Sequence, residues 1–538
     1  MPGWNYADIW ETVAQQIPDA TAQVHAGEHR TWSDFNRRAN GVAQALLDRG
    51  VAEQDKVAQY LYNGTEYLES MFAAFKAGLV PINTNYRYAD DELVYLWDNA
   101  DATVVVFHGT FTDTIERIRE RVPRVTTWLW VDDGSGPLPE WAIAYEDAAA
   151  TPANGDVSAP WGRSGDQLLM LYTGGTTGMP KGVMWRQDDQ IRSVVGSLWP
   201  DLQNAPAADL DMIRERVQGP GLVGMAACPL MHGTGMFTQL ALLALGGSAV
   251  TMASRHLDIE ELLDTIQREK VNQIAIVGDA FAKPIVSAMD AEPGRWDISS
   301  LVSITSSGVM WSQEVKNRLL EIHPGMMLLD AFSSSEALGM GSSISTAGNA
   351  ASTAKFMLGP NAKVITDEGK EVQPGSEEIG RVAVGGFQPI GYYKDEAKTA
   401  ATFIEFEGKR YSVPGDYAKV EADGSLTLLG RGSVCINTGG EKVFPEEVEE
   451  ILKLHPAVAD AVVVGVPDDK FGEAITAVVE AADGAEVRED DVIGFVKGKL
   501  SSYKAPKRVL TIDTIGRAPN AKVDYKRLKA YARESLGV

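Results

Sequence analysis

The stretch Tyr172-Thr-Gly-Gly-Thr-Thr-Gly-Met-Pro-Lys-Gly182 decides how the rest of the chain is interpreted. The apolar run at residues 168–172 leads into it, and Val183-Met-Trp185 follows it before a charged helical pattern. This order predicts a strand, a glycine-rich loop, and then a second strand or the start of a helix. Glycines let a backbone approach an anion closely and point its N–H groups at it. The stretch therefore predicts a cradle for a polyphosphate.

The residue types of this loop support the same interpretation. Its candidate phosphate ligands are three threonines, three glycines and a lysine: Thr173, Thr176, Thr177, Gly174, Gly175, Gly178 and Lys181. The loop is not a Walker A motif, which needs a serine or threonine after the lysine, because here Gly182 follows it. The alternative is a flexible surface turn, but ordinary turns seldom combine these residues.

The stretch resembles the phosphate-binding loop of the adenylate-forming superfamily, which includes acyl-CoA synthetases, luciferases and peptide-synthetase adenylation domains. The family usually has serine where this chain has Gly174, so one hydroxyl is missing. The resemblance covers essentially the whole chain and implies an α/β fold. It implies a large N-terminal domain of helix-covered mixed sheets with a β-subdomain over residues 1–432. A small, mobile α+β domain would follow over residues 433–538, with its hinge near Ser433.

Composition sets limits on the class of protein. A chain of 538 residues is too long for one ordinary core, so two or more domains are expected. A net charge of −25 argues against non-specific binding to nucleic acid and against docking on anionic lipid. The two cysteines are far apart in sequence and form no disulfide framework, and the N-terminus has no pattern of a signal peptide. We therefore expect a cytoplasmic protein with no nucleic-acid partner.

Other patterns predict local structure rather than chemistry. Residues 1–150 alternate helical and strand patterns, which indicates a mostly parallel sheet covered by helices. A helix should begin near residues 31–34, with Ser33 or Asp34 as its N-cap. Residues 25–29 match a zinc-peptidase pattern, but the central glycine favours a hairpin turn. The nearly uncharged residues 217–254 are interrupted by glycines, so we expect buried strands and a core helix there rather than an integral membrane segment.

The segment Pro229-Leu-Met-His-Gly-Thr-Gly235 resembles the family segment whose aromatic or histidine residue stands beside the acyl carboxylate. His232 is the candidate residue. Its alternative role is that of a satisfied core histidine. The small residues around His232 would leave space for a bulky acyl group, and residues 271–280 match the region that supplies the wall of the acyl pocket in the family.

Two further segments resemble nucleotide-binding elements of the family. Ser307, Gly308 and Val309 match the turn that holds adenine. In the segment 330–336, the resemblance assigns Phe332 to stacking on adenine, Ser335 to the usual threonine position and Glu336 to Mg²⁺, with Asp330 as a further nucleotide contact. Thr176 would be the second Mg²⁺ ligand. Carboxylate and phosphate oxygens suit this hard cation.

The remaining matches lie in the last quarter of the chain. Asp416 matches the carboxylate that accepts both ribose hydroxyls, and Arg431 would complete the ribose and phosphate contacts. Gly439 and Gly440 match the loop that lines the entry of the thiol. Lys522 matches the C-terminal lysine that reaches the carboxylate and the α-phosphate. Ala521 replaces the glycine that usually precedes that lysine, which predicts a slow first half-reaction if the position needs a positive φ.

Together these matches predict an ATP-dependent acyl-CoA synthetase that activates a hydrophobic carboxylic acid, such as a fatty acid or a steroid side-chain acid. Its catalytic residues would be Thr176, Lys181, His232, Glu336 and Lys522. ATP, Mg²⁺ and coenzyme A would take part in the reaction. The oligomeric state is open, and a homodimer is one option.

Several alternatives are kept. A stand-alone adenylating enzyme could act on aryl or amino acids, and Asp279 lies in a plausible region to face an amino-acid ammonium group. A luciferase-like oxygenase would emit light with a luciferin. A catalytically impaired homologue would bind nucleotide and release no pyrophosphate. A Ser-His-Asp hydrolase is disfavoured because no G-x-S-x-G motif is present.

Overall fold

A computed structural model describes residues 3–173, 179–438, 441–468, 472–518 and 522–538. The chain divides into two compact units. Unit 1 comprises Met1–Thr353 and Val384–Ser412, and unit 2 comprises Ala354–Ala383 and Val413–Val538. The hinge predicted near Ser433 is a point about which a small domain would rotate, which the division into units does not test. It therefore stays a prediction.

The helices of the described residues have these bounds in chain order: α1 (Tyr6–Gln16), α2 (Trp32–Leu47), α3 (Thr65–Lys76), α4 (Asp90–Asn99), α5 (Thr112–Ile118), α6 (Tyr145–Ala149), α7 (Gln187–Val194), α8 (Pro200–Asn204), α9 (Leu210–Arg216), α10 (Gly233–Ala244), α11 (Ile259–Glu269), α12 (Asp279–Ala291), α13 (Gln313–Ile322), α14 (Glu396–Thr402), α15 (Pro445–Leu452), α16 (Glu489–Lys497) and α17 (Tyr525–Leu536).

The strands follow in the same way: β1 (Thr21–His25), β2 (Glu28–Thr31), β3 (Lys56–Tyr60), β4 (Val80–Asn83), β5 (Ala102–His108), β6 (Thr127–Val131), β7 (Ile143–Ala144), β8 (Leu168–Thr173), β9 (Lys181–Arg186), β10 (Val223–Ala226), β11 (Ser248–Thr251), β12 (Gln273–Ile276), β13 (Ser303–Ser307), β14 (Met327–Phe332), β15 (Gly341–Ser345), β16 (Lys355–Leu358), β17 (Ala362–Ile365), β18 (Gly380–Val384), β19 (Gly391–Tyr392), β20 (Phe403–Phe406), β21 (Lys409–Ser412), β22 (Asp416–Val420), β23 (Ser425–Arg431), β24 (Ile436–Thr438), β25 (Glu441–Val443), β26 (Val458–Asp468), β27 (Gly472–Ala481) and β28 (Arg508–Thr511).

Unit 1 contains two mixed sheets. One has the order β19-β9-β8-β4-β3-β5-β6-β7 and is parallel from β8 to β7, whereas β8, β9 and β19 pair antiparallel. In the other, eight neighbouring strands follow the order β2-β1-β11-β10-β12-β13-β14-β15 and are parallel except at the two ends. Parallel strands of this kind gather ligand-binding loops at their carboxyl ends. The predicted α/β fold is confirmed for this part of the chain.

Helices α1, α2 and α3 pack against one another, with α3 on β3 and β4 of the first sheet and α2 on β1 and β2 of the other, and large aromatic side chains fill the space between the helices. Trp10, Phe35 and Phe72 are fully buried there, and their ring centroids lie 5.0–5.8 Å apart. Aromatic rings of this size contribute much of the apolar area that a core removes from water. A shared aromatic core therefore holds these three helices together.

In its described residues, unit 2 combines mainly antiparallel strands with three α-helices. Strands β16, β23, β22 and β18 are neighbours, and Asp416 of β22 is opposite Arg431 of β23. A separate five-stranded sheet has the order β25-β24-β27-β26, with β28 parallel to β27. Helices α15 and α17 pack on β26, and α16 packs beside β28. This α+β arrangement over the last residues of the chain agrees with the predicted fold class.

Local predictions have mixed outcomes. The hairpin at residues 25–29 is confirmed by the antiparallel pair β1–β2. The N-cap prediction for α2 is wrong: the cap is Thr31, whose side chain accepts a hydrogen bond from the N–H of Asp34. Residues 217–254 fold as β10, α10 and β11, as predicted. Of the helices that the structure describes, none is both long enough and apolar enough to cross a bilayer.

Candidate functional site

The two ends of the predicted phosphate loop are the two ends of an antiparallel strand pair. Thr173 closes β8 and Lys181 opens β9, and the two residues are opposite each other in the register. Next to Lys181, a Cβ atom added to Gly182 would lie 2.7 Å from the ring of Tyr172. A side chain at this position would therefore displace the tyrosine ring. Residues 174–178 lie outside the described residues, so their predicted contacts with phosphate stay predictions.

Lys181 forms an ion pair with Asp395. Asp395 is the N-cap of α14, where it accepts a hydrogen bond from the N–H of Lys398 at 2.9 Å. The hydrogen bond from Lys181 lowers the pKa of the Asp395 carboxyl. Both side chains are partly exposed, at 40% and 25%. Solvent weakens such a pair, so the lysine can exchange its carboxylate for another anion at little cost.

Glu336 is held beside the strand that Lys181 begins. The hydroxyl of Tyr392 donates a 2.8 Å hydrogen bond to Oε1 of Glu336, and Tyr392 pairs with Val183 of β9. The main chain is fixed as well, because Trp185 Nε1 donates to the Ser335 carbonyl at 2.9 Å. In the part of the chain that the structure describes, Oε2 of Glu336 accepts no hydrogen bond. The carboxylate is thus oriented and retains one oxygen for a cation.

The predicted adenine turn lies at the carboxyl end of β13. Ser307 ends the strand, and Gly308 follows with a φ of +97°, a region that favours glycine. The hydroxyl of Thr234, in the first turn of α10, lies 3.4 Å from the Ser307 carbonyl. Thr234 is two residues beyond His232, which is half-buried. The predicted adenine turn and the predicted acid-binding segment are therefore neighbours.

Asp330 and Phe332 lie on β14 next to this turn. Asp330 is buried and pairs with Lys316 at 3.1 Å. Burial raises the pKa of Asp330 to about 6, against the opposing effect of Lys316. Phe332 is also buried. The described partner of the Asp330 carboxylate is thus a lysine of the protein, and a contact of Asp330 with nucleotide stays a prediction.

Asp279, the candidate partner of an amino-acid ammonium group, already has partners in the protein. Its Oδ1 accepts hydrogen bonds from the N–H and the hydroxyl of Ser312 at 3.0 and 3.1 Å. Its Oδ2 lies 3.6 Å from Nζ of Lys283. These contacts give the carboxylate a structural role between the start of α12 and the start of α13.

In unit 2 the predicted ribose ligands are close together. Nε of Arg431 donates to Oδ1 of Asp416 at 3.2 Å. The N–H of Arg431 also donates to Oε1 of Glu446 at 3.4 Å. Burial, and then the neighbouring Glu449, raise the pKa of Glu446 to about 8. The site of Asp416 and Arg431 therefore includes a buried carboxyl that the sequence did not predict.

Two other predicted elements of unit 2 are described only in part. Lys522 is exposed, and its carbonyl accepts a hydrogen bond from the N–H of Ala518 at 2.9 Å. Ala521, Gly439 and Gly440 lie outside the described residues. Their assigned roles stay predictions.

Two family descriptions match the chain. Residues 10–393 match the AMP-binding enzyme family, and residues 447–522 match the C-terminal domain of AMP-binding enzymes. The chain belongs to the AMP-binding enzyme family. The predicted membership of the adenylate-forming superfamily is therefore confirmed, and so is the order of its two parts along the chain.

Relatives of this AMP-binding enzyme match it over nearly its full length. The chain is 39% identical to a 3-oxocholest-4-en-26-oate–CoA ligase of Rhodococcus rhodochrous, over 99% of this chain and 96% of the relative. It is 38% identical to a medium/long-chain-fatty-acid–CoA/3-oxocholest-4-en-26-oate–CoA ligase of Mycobacterium tuberculosis, over 98% and 95% of the two chains. An anthranilate CoA ligase crystallised with anthranoyl-AMP has a similar fold, with a TM-score of 0.84, 22% identity and coverage of 100% and 99%.

Four polar residues that belong to no motif of the sequence hold candidate site residues of this AMP-binding enzyme in place. Asn63 and Asn83 hydrogen-bond to the main chain before His232, and Tyr392 and Asp395 contact Glu336 and Lys181. One feature of the sequence indicates a role for Asn83. It is the polar last residue of an otherwise apolar parallel strand, and ligands bind at the carboxyl ends of such strands. Cys228, whose carbonyl accepts from Asn63, is fully buried, and burial raises the pKa of its thiol to about 12.

Proposed function

We propose that the chain is an ATP-dependent acyl-CoA synthetase. The observation that carries this proposal is a chain of contacts: Lys181 begins β9, β9 pairs with Tyr392, and Tyr392 hydrogen-bonds to Glu336. One strand pair thus holds both the proposed phosphate-binding lysine and an oriented carboxylate. The family membership supports adenylation, and the CoA ligase activity named for both relatives supports thioester formation.

The proposed reaction has two steps. A carboxylate oxygen of the acid attacks the α-phosphorus of ATP, a P–O bond forms, and pyrophosphate leaves with its electron pair. The CoA thiol then loses its proton and attacks the acyl carbon, and AMP leaves. Lys181 and the loop that it closes would offset negative charge on the phosphates, and Lys522 would do so at the α-phosphate and the carboxylate.

Mg²⁺ would bind at Glu336. The half-buried carboxylate is oriented by Tyr392 and has one oxygen without a described hydrogen bond, so it suits a hard cation that takes oxygen ligands. When bound, Mg²⁺ neutralises charge on the phosphate oxygens. Thr176 is the second proposed ligand, by resemblance alone.

The proposed acid is hydrophobic, either a fatty acid or a steroid side-chain acid. The names of the two relatives support this class. The segment beside His232 agrees with it, since Gly233 and Gly235 add no side chains there. An amino-acid substrate is disfavoured because Ser312 and Lys283 already engage Asp279.

A ligation screen tests the proposal. The protein is incubated with ATP, Mg²⁺, CoA and one acid from a set of short, long, aromatic and steroid side-chain acids, and thioester and AMP are quantified. We expect the highest turnover with a long-chain or steroid acid. Pyrophosphate release without thioester would contradict the ligase assignment, and the absence of both with every acid would indicate a nucleotide-binding homologue.

We further propose a cytoplasmic location. The two cysteines form no disulfide in the structure, which agrees with a reducing compartment. A homodimer stays one option, and light scattering during gel filtration would decide it.

A further inference from the structure

We propose that Asn83 is a positioning residue that couples the start of the phosphate loop to the acid-binding segment. The proposal rests on the proposed function for the identity of the two ligands. Asn83 is the last residue of β4, and its side chain contacts β8 of the same sheet and the segment that follows β10 of the other sheet.

The amide of Asn83 makes three hydrogen bonds to main-chain groups. Its Oδ1 accepts from the N–H of Tyr172 at 2.6 Å, and its Nδ2 donates to the carbonyl of Tyr172 at 2.9 Å. The same Nδ2 donates to the carbonyl of Met231 at 2.8 Å. Tyr172 immediately precedes Thr173, and Met231 immediately precedes His232. One buried side chain thus fixes the main chain one residue before each of two predicted binding elements.

Only an amide fits this position well. The three main-chain partners need one acceptor and two donors, which is the inventory that a primary amide offers at this length. Aspartate keeps the acceptor but offers no hydrogen-bond donor when ionised, and it would bury a charge. Alanine would leave the carbonyl of Met231 and both main-chain groups of Tyr172 without these partners.

Asn63 provides a matched comparison because, among the residues that the structure describes, it hydrogen-bonds to the same segment and not to β8. It follows β3, the strand next to β4. Its Oδ1 accepts from the N–H of Leu230 at 2.8 Å, and its Nδ2 donates to the carbonyl of Cys228 at 3.2 Å. If these asparagines position the two binding elements and do not merely stabilise the fold, loss of Asn63 should weaken binding of the acid. Loss of Asn83 should weaken binding of both the acid and ATP.

Asn40 provides a control for stability. It is buried in unit 1, its Oδ1 accepts from the N–H of Val157 at 3.0 Å, and its Nδ2 donates to Asp156 at 3.4 Å. None of these partners belongs to the predicted site. The variant Asn40→Ala should therefore lower Tm and leave both ligand affinities at the wild-type values.

The experiment compares Asn83→Ala, Asn83→Ser, Asn63→Ala and Asn40→Ala with the wild type. Calorimetry gives the Kd of ATP without acid, and steady-state thioester assays give KM for the acid and kcat. We expect Asn83→Ala to weaken ATP binding and raise KM for the acid, each by about tenfold. We expect Asn63→Ala to raise only KM for the acid. Asn83→Ser should lie between wild type and alanine, and it replaces the alanine variant if that variant does not fold.

Two results would overturn the proposal. One is that the Asn83 variants have a lower Tm but keep the wild-type Kd of ATP and the wild-type KM for the acid, which is the result expected for Asn40→Ala. The other is that Asn63→Ala weakens ATP binding as much as Asn83→Ala does. Failure of the proposed function has a different signature, since the wild type would then bind ATP and form no thioester, while the calorimetric comparison would still report on Asn83.

Discussion

Two sets of contacts, one in each compact unit, hold candidate site residues by different means. In unit 1, the neutral amides of Asn63 and Asn83 clamp the main chain, and their acceptors and donors are matched. In unit 2, the carboxyls of Asp416 and Glu446 crowd near Arg431, and each has a buried oxygen without a hydrogen-bond partner among the described residues. Hydrogen bonds from neutral amides hold the main chain in the same way at any physiological pH. Buried carboxyls, in contrast, gain or lose a proton as the pH changes.

This contrast implies a division of tasks. The candidate residues that these amides hold in unit 1 are already oriented without ligand, which reduces the cost of ordering them on binding. Glu446 of unit 2 changes charge as the pH passes about 8, so we expect the residues around Arg431 to respond to pH. The following predictions test this division, from the largest expected effect to the smallest.

The largest effect should come from unit 2. Lys522→Ala should slow acyl-adenylate formation by about 10³-fold, because a cation that stabilises transition-state charge is lost. Thioester formation from supplied acyl-adenylate and CoA should stay near the wild-type rate. Pyrophosphate exchange measures the first step and a thioester assay measures the second. Equal loss of both steps would contradict the assigned role of Lys522.

A large effect should follow from the oriented carboxylate of unit 1. Glu336→Gln should raise the Mg²⁺ concentration needed for half-maximal adenylation by about 100-fold, and Tyr392→Phe should raise it by about tenfold, because the tyrosine only orients the ligand. Metal titrations of pyrophosphate release measure both values. The assignment of Glu336 is wrong if its variant shows the Mg²⁺ dependence of the wild type.

A moderate effect should expose the proton sensitivity of unit 2. Burial raises the pKa of Glu446 to about 8, so the folded chain holds this proton more tightly than the unfolded chain. The contribution of this proton to the free energy of unfolding is fully present below the pKa that Glu446 has in the unfolded chain. It is lost as the pH rises toward 8. We expect Tm to fall by about 2–4 °C between pH 6.5 and 8 in the wild type. Glu446→Gln should flatten that slope.

Glu447→Gln is the control for the Glu446 variant. Glu447 is the next residue, and it pairs with Lys504 at 2.6 Å outside the cluster around Arg431. This variant should keep the wild-type slope of Tm against pH. An unchanged slope in Glu446→Gln, measured by calorimetry at four pH values, would place the titrating group elsewhere.

The smallest effect concerns the ion pair of Lys181 in unit 1. Asp395→Asn keeps an N-cap for α14 but frees the lysine from its carboxylate. Because the pair is partly exposed, ATP should bind only about two- to threefold more tightly. Calorimetric titration with ATP measures the change. Weaker binding would show that Asp395 helps to hold the nucleotide rather than competing for Lys181.

The sequence predicted the fold class and the strands on either side of residues 174–178, because glycine spacing and apolar runs are local signals. It also predicted the two parts that the family comparison confirms. It missed the N-cap at Thr31, since several capping residue types stood within one turn.

Sequence patterns could not predict the contacts that support the candidate site, although the polar end of β4 marks Asn83. Asn83 meets Tyr172 and Met231 across 89 and 148 residues of chain, and Tyr392 meets Glu336 across 56. Contacts between such distant residues form only when the two sheets have folded, and a single asparagine or tyrosine has no periodic pattern. The raised pKa of Glu446 has the same origin, because burial creates it.

The burial of Cys228 has a practical consequence for kinetics. Thiol-directed dyes react with thiolates, and this thiol is both enclosed and protonated at neutral pH. Cys435 is the other cysteine of the sequence and is partly accessible, two positions beyond Ser433. A maleimide fluorophore should therefore attach there selectively. The sequence thus carries its own labelling position at the expected hinge, where fluorescence would follow each turnover in real time.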